Sequence, residues 1–313
     1  MKRLVTAAFL FLLALPAGAQ QVGSYDAAPA PSYEGLWWNA PAGSESGWGV
    51  SVSHQGELIF ATWFTYDADG RGLWLVMPEG RLVAGGDQSD WSMEMDMDMG
   101  MMGRNVGAPT YSGTLYRTSG PPFDSAHFDP GAVGVRAVGM ATLIFTDRDN
   151  GLFGYTVDEV AQAKKITRQV FADSVPVCTL GGSPGSEPNY QDLWWRAPAG
   201  SESGWGVSVA HQGDVLFATW FTYDAEGRGQ WLVLPGASRT GASTYSGTLY
   251  RTTGPAFDAS PWDPSQVRAT AVGTGTFDFS DPNNGTFSYA VDGARGAKAI
   301  TRQVFAGPKS VCR

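Results

Sequence analysis

The chain contains two copies of one unit. Residues 36–76, LWWNAPAGSESGWGVSVSHQGELIFATWFTYDADGRGLWLV, return from Leu193 as LWWRAPAGSESGWGVSVAHQGDVLFATWFTYDAEGRGQWLV, an offset of 157. YSGTLYRTSGPPFD from Tyr111 returns at Tyr245 as YSGTLYRTTGPAFD, and ITRQVFA from Ile166 returns at Ile300, both at an offset of 134. The offsets differ by the 23 extra residues that the first copy carries between Val76 and Tyr111. A duplicated unit has to fold twice from nearly the same instructions, so each copy is expected to bury a core of its own.

Within a copy the apolar pattern has period two and is rich in Val, Ile, Thr, Trp, Tyr and Phe, with Gly, Asp and Asn at short intervals, which reads as β. Trp48, Val50 and Val52 alternate with Gly49, Ser51 and Ser53, giving one apolar face and one small polar face. His54-Gln55-Gly56 and Asp67-Ala68-Asp69-Gly70 supply turns, because Gly adopts positive φ at little cost and Asp side chains bond nearby amides. Strands are expected at Leu36–Trp38, from Trp48, at Leu58–Tyr66, Gly72–Met77, Thr110–Arg117, Val135–Thr146, Leu152–Val157 and Lys164–Phe171. About eight strands joined by short turns favour antiparallel neighbours and can close on themselves to remove sheet edges. The expected fold is all-β: two tandem antiparallel barrels or bent sandwiches of about eight strands each. No sustained 3.6-residue apolar repeat occurs beyond the first 19 residues, so helix is expected to be minor.

GLWWN at 35–39, ESGWGVSVSHQG at 45–56, FATWFTYDADG at 60–70 and SGTLYRTSGPPF at 112–123 resemble an uncharacterised tandem-repeat family of secreted bacterial proteins. The resemblance covers nearly the whole mature chain and implies no activity. Lys2 and Arg3 precede an apolar run, Leu4 to Leu15, then Pro16 and Ala17-Gly18-Ala19, the pattern of a secretory signal peptide. The run is too short for a bilayer span, which takes about 20 residues, and no Cys beside the cleavage site offers a lipid anchor. A periplasmic or extracellular protein with no membrane span is expected. The boundaries read as signal peptide 1–19, N-terminal linker 20–32, first repeat 33–178 with an insertion near 79–104, a Gly/Ser/Pro-rich linker 179–189, and second repeat 190–313. With a net charge of −9 and no basic run after the first three residues, nucleic acid is not an expected partner.

Six of the nine Met fall in the ten residues from Met93, inside the insertion. If that stretch is extended, Met93, Met95, Met97, Met99 and Met101 share one side, while Glu94, Asp96 and Asp98 share the other. Thioethers are soft uncharged ligands that suit Cu(I), so Met93, Met95, Met97, Met99, Met101 and Met102 form the candidate metal site. The tract is similar to methionine-rich tracts of exported copper-handling proteins, and Trp91 is similar to a Trp that caps Cu(I) in one periplasmic copper-chaperone family. No His interrupts it, which argues against tight Cu(II) binding. The competing explanation is an acidic loop in which Met serves adaptability or acts as an oxidation sink.

Other clusters carry blander explanations. His54 and His211 match in SHQG and AHQG and read as turn residues; His127 is unmatched, and three scattered His make no zinc signature. Asp67 with Asp69, and Asp147 with Asp149, lack the distal Glu of an EF-hand loop and read as hairpin turns. Trp37, Trp38, Trp48, Trp63, Phe64, Tyr66 and Trp74, repeated from Trp194 to Trp231, fit a core or a cavity for a sugar or small apolar ligand. Ser44-Glu45-Ser46-Gly47 and its repeat lack a nearby His base, and no phosphate-binding fingerprint occurs, so an enzyme is not expected. Cys178 and Cys312 match at offset 134, which in an exported protein reads first as a disulfide tying the two units, with thiolate copper ligation or an interchain bridge as alternatives. The expected function is non-enzymatic Cu(I) binding by the Met-rich loop, for sequestration or transfer to a copper-handling protein. The alternatives are a small-molecule or carbohydrate-binding module, or a structural protein with the Met loop incidental. Intact-mass analysis of exported protein should find Gln20 at the N-terminus; retention of residues 1–19 contradicts the export assignment.

Overall fold

The computed structural model describes residues 30–84 and 107–313. After a short strand β1 (Ala30–Pro31), the first copy forms β2 (Gly35–Asn39), β3 (Gly49–Gln55), β4 (Leu58–Tyr66), β5 (Gly72–Ala84), β6 (Thr110–Ser119), β7 (Gly134–Phe145), β8 (Asn150–Val157) and β9 (Val160–Arg168). A second short strand, β10 (Cys178–Leu180), leads into the second copy. That copy comprises β11 (Asp192–Arg196), β12 (Gly206–Gln212), β13 (Val215–Tyr223), β14 (Gly229–Arg239), β15 (Thr244–Thr253), β16 (Arg268–Asp281), β17 (Asn284–Val291) and β18 (Ala294–Arg302), before the terminal strand β19 (Ser310–Cys312). Each set of eight is a closed antiparallel barrel in sequence order, with β2 pairing β9 and β11 pairing β18. Closure selects the barrel over the bent sandwich, and it leaves no free edge in either large sheet. Among the described residues the only helical elements are 3-10 turns at Pro130–Ala132 and Pro264–Gln266, each capped by a preceding Asp side chain.

The alternation read from sequence holds on β8 and on its counterpart β17, where alternate residues are buried. It fails on β3 and β4, which are buried along nearly their whole length. Ile59, Ala61 and Trp63 fill the first barrel, while Phe60, Thr62, Phe64 and Tyr66, pointing outward on the same strand, meet the second barrel. Ser51 and Ser53, the small polar face, are 6% and 3% exposed because they lie under that contact. The strand expected at 72–77 runs on to Ala84, and the one expected at 164–171 spans 160–168 instead. Both segments read as linkers contribute strands: β1, β10 and β19 form a three-stranded sheet in which Cys178 and Cys312 are directly paired and joined by a disulfide, with Cα atoms 4.0 Å apart.

The hairpin β8–β9 turns on Asp158-Glu159, both at positive φ, and its twin turns on Asp292-Gly293. Each turn donates its first N–H to a bulged residue of the neighbouring strand: Asp158 N to Val138 O and Asp292 N to Val272 O, both 2.9 Å. The bulges depend on Gly139 and Gly273, at φ 156° and 157°, where an added Cβ would collide with the carbonyls of Thr156 and Ala290. Gly139→Ala should therefore cost about 2–4 kcal/mol in urea unfolding. Gly154→Ala, whose Cβ would meet only Thr142 O at 4.0 Å, should stay within about 1 kcal/mol of wild type.

Candidate functional site

Trp91 and Met93, Met95, Met97, Met99, Met101 and Met102 lie outside the described residues. The strands that flank them are described: β5 and β6 pair at Arg81 with Ser112, Leu82 with Tyr111 and Ala84 with Thr110. The corresponding strands of the second barrel pair at Arg239 with Tyr245 and are joined by the short turn Thr240–Ser243. The insertion thus enters the chain at a hairpin that its twin closes in four residues.

The barrel interiors are occupied by their own aromatic rings. Trp37, Trp48, Trp63, Phe145, Phe153 and Tyr155 of the first, and Trp194, Trp205, Trp220, Phe279, Phe287 and Tyr289 of the second, are each at most 8% exposed. Trp48 stacks on Phe153 and the other pairs are tilted or edge-on, with Trp63 4.3 Å from Tyr155 and Trp220 4.6 Å from Tyr289. Clefts of about 370, 430 and 530 Å³ are instead lined from both barrels, along the seam between them. Trp37 and Trp38 point oppositely, as strand geometry requires; Trp37 is fully buried and Trp38 partly exposed.

Along the seam several contacts have a counterpart from the other repeat. Trp74 Nε1 donates to Thr222 O at 3.1 Å, and Trp231 Nε1 donates to Thr65 O at 2.8 Å. Gln55 accepts from the N–H groups of Phe305 and Ala306 and donates to Gln303 O, while Gln212 does the same for Phe171, Ala172 and Gln169. The loop after β15 carries Phe257 into the mouth of the first barrel, edge-on to Trp63 at 5.7 Å. The loop after β6 carries Phe123 to Trp220 at 5.3 Å in the second. Sequence reading missed these two plugs, although a Phe recurring in a Gly-Pro loop, as GPPFD and GPAFD, was the signal.

At one end of the seam lies a buried polar cluster. Glu34 is 2% exposed, and its Oε2 accepts the His54 N–H at 2.8 Å. Burial, reinforced by the nearby Asp192 carboxylate, holds its carboxyl well above the usual range. The second repeat has Gln191 at this position, accepting from His211 N and donating to Cys178 Sγ at 3.2 Å. Arg168 stacks on Trp37 and pairs with Asp149, whereas Arg302 stacks on Trp194 and pairs with Asp192. Gly35, where the second repeat has Asp192, leaves room for the Arg168 guanidinium; a Cβ there would strike Nη1. One position is thus neutralised by carboxylates from different places in the two repeats.

The remaining candidate clusters are structural. His54 Nδ1 accepts from Tyr33 N–H at 3.1 Å and its Nε2 meets Tyr111 Oη at 3.0 Å. His211 Nδ1 accepts from Tyr190 N–H at 3.0 Å and its Nε2 meets Gly213 O at 2.8 Å. Both nitrogens of each ring are engaged, and burial pushes both rings down to about 4. Asp67 and Asp147 accept backbone N–H groups of their own turns, as hairpin turn residues do. Glu45 Oε2 is held by Trp48 Nε1 at 3.0 Å and Lys164 Nζ at 2.7 Å, a clamp repeated by Glu202, Trp205 and Lys298. Among the described residues no group of three or more His, Cys, Asp or Glu could hold a metal ion, and no helix is long and apolar enough to cross a membrane.

No protein-family model, curated protein or solved structure matches this chain.

The buried ionisable groups act in opposite senses on stability. Unfolded, the two His protonate near 6.5; folded, only near 4. The unfolded state therefore binds more protons between those values, and stability should fall by about 3 kcal/mol for each ring as pH drops from about 6.5 to about 4. For Glu34 the folded state holds its proton more tightly, so its contribution is present below the ordinary carboxylate range and is lost as pH rises through the raised value. Glu34→Gln, which copies the second repeat, should raise the thermal midpoint above about pH 6 and leave it unchanged near about pH 4. An equal shift at both pH values would mean that packing, not charge, sets the effect.

Proposed function

We propose that this is an exported, non-enzymatic protein that holds Cu(I) in the methionine-rich insertion of its first repeat, for sequestration or transfer to a copper-handling partner. The observation that carries the reading is an asymmetry at one hairpin. Two barrels that otherwise match strand for strand differ where β5 meets β6, and the added residues concentrate six of the chain's nine Met. Alternating thioethers offer soft neutral donors at a spacing that lets several reach one ion. The two Cys are bonded to each other and so do not compete as thiolates, and a disulfide fits an oxidising compartment outside the cytoplasm. The barrel interiors hold their own side chains, which leaves cargo to the exterior.

A second reading, binding of a small apolar molecule, is favoured by the cleft of about 370 Å³ lined by Phe60, Trp74, Val76, Val133, Trp195 and Phe221. Its volume lies in the range of small-molecule sites, at the lower end. The two readings separate in one titration. Mature protein should compete with a chromophoric chelator for Cu(I), and deletion of residues 91–102 should abolish the competition while leaving Trp fluorescence responses to apolar probes unchanged. Equal competition by the intact and deleted chains removes the copper reading.

A further inference from the structure

We propose that each barrel mouth is a recognition site for a Gly-Pro-X-Phe-Asp turn, and that its ligand is such a turn on a second chain bearing the same repeat. The geometry supplies two site and ligand pairs within one molecule, built from the same parts. In the first mouth the Phe257 ring lies against Trp63 and Tyr155, Tyr155 Oη donates to Phe257 O at 3.0 Å, and Phe257 N donates to Tyr66 O at 2.9 Å. In the second the Phe123 ring lies against Trp220 and Tyr289, Tyr289 Oη donates to Phe123 O at 3.1 Å, and Phe123 N donates to Tyr223 O at 3.2 Å. Two rings and two backbone bonds thus read one residue in each mouth.

The Gly of the turn is read as well. Gly254 N donates to Gly70 O at 3.1 Å and Gly120 N to Gly227 O at 3.0 Å; a Cβ on either Gly would enter the ring of Tyr66 or Tyr223. The X position, Pro122 in one turn and Ala256 in the other, tolerates change. The first mouth adds one bond that the second lacks: Gln162 Nε2 donates to Asp258 O at 2.9 Å, whereas Gly296 stands at the matching position of the second barrel. Recognition rests on backbone bonds and an aromatic slot, with the neighbouring repeat as the occupant in both observed cases. A turn arriving from another chain meets the same donors, acceptors and rings once the resident turn leaves.

The test uses the full chain with residues 254–258 replaced by a Gly/Ser segment of equal length, and a synthetic peptide copying residues 251–260. The peptide should give saturable quenching of Trp fluorescence with the replaced chain directly, and with wild type only after unfolding and refolding in its presence, when the resident turn has left. Wild type refolded with excess peptide that stays unquenched overturns the second-chain ligand. A peptide carrying Phe257→Ala should bind about tenfold more weakly or worse. Adding Tyr155→Phe to the replaced chain should weaken binding about three- to tenfold, while Tyr289→Phe, in the mouth still plugged, should not. A folded replaced chain that ignores the peptide, or binds both peptides equally, overturns the proposal. If the replacement prevents folding, recovery of compact chain on refolding with the Phe peptide and not its Ala form supports it; failure with both overturns it.

Discussion

Two indole N–H groups, those of Trp74 and Trp231, donate across the seam to the carbonyls of Thr222 and Thr65, and the positions of both barrels follow from that exchange. The acceptors are ladder residues of β13 and β4, so each Trp ties an outer face of one barrel to the strand backbone of the other. Around this pair the outward faces of β4 and β13 bring Phe64 and Phe221 to 6.4 Å and close the seam. The loops bearing Phe123 and Phe257 then cap the mouths. Neither barrel completes its own core, because the last ring against Trp63 or Trp220 comes from the sister unit.

Much of the architecture was legible in the residues, and the reason is local. Turn chemistry at Asp67–Gly70 and Asp147–Gly151, period-two alternation in β8, and duplicated spacing specify strands, hairpins and copy number without reference to anything distant. The paired Cys were legible from their matched spacing, whereas His54 and His211, read as turn residues, lie within β3 and β12 and are held by Tyr33 and Tyr190. What escaped is what a strand's second face meets. Ser51 and Ser53 look like a solvent face, yet they are covered, because period two tells that faces alternate but not that another barrel lies on the polar one. Phe123 and Phe257 escaped because loop residues carry no periodicity, and Glu34 because a lone acidic residue before a strand gives no sign of burial.

The functional question divides along the same lines. In the duplicated scaffold the aromatic residues pack the barrels and the seam, and the acidic turns bond their own backbone. The copies differ, among other positions, in the insertion, in Glu34 against Gln191 and in Gly35 against Asp192. The last two sit together beside the disulfide and alter the charge of one buried cluster, while the insertion enters at paired strand ends that the other copy closes with a tight turn.

The bond between Cys178 and Cys312 spans 134 positions and encloses the entire second barrel in a covalent ring, leaving the first barrel outside it as a tail. A single backbone cut anywhere inside that ring releases no fragment, because both new ends stay tethered through sulfur, whereas one cut in the preceding barrel severs the chain. Two units of nearly equal sequence thus differ in how they survive a protease, and the more exposed burden falls on the copy that carries the insertion.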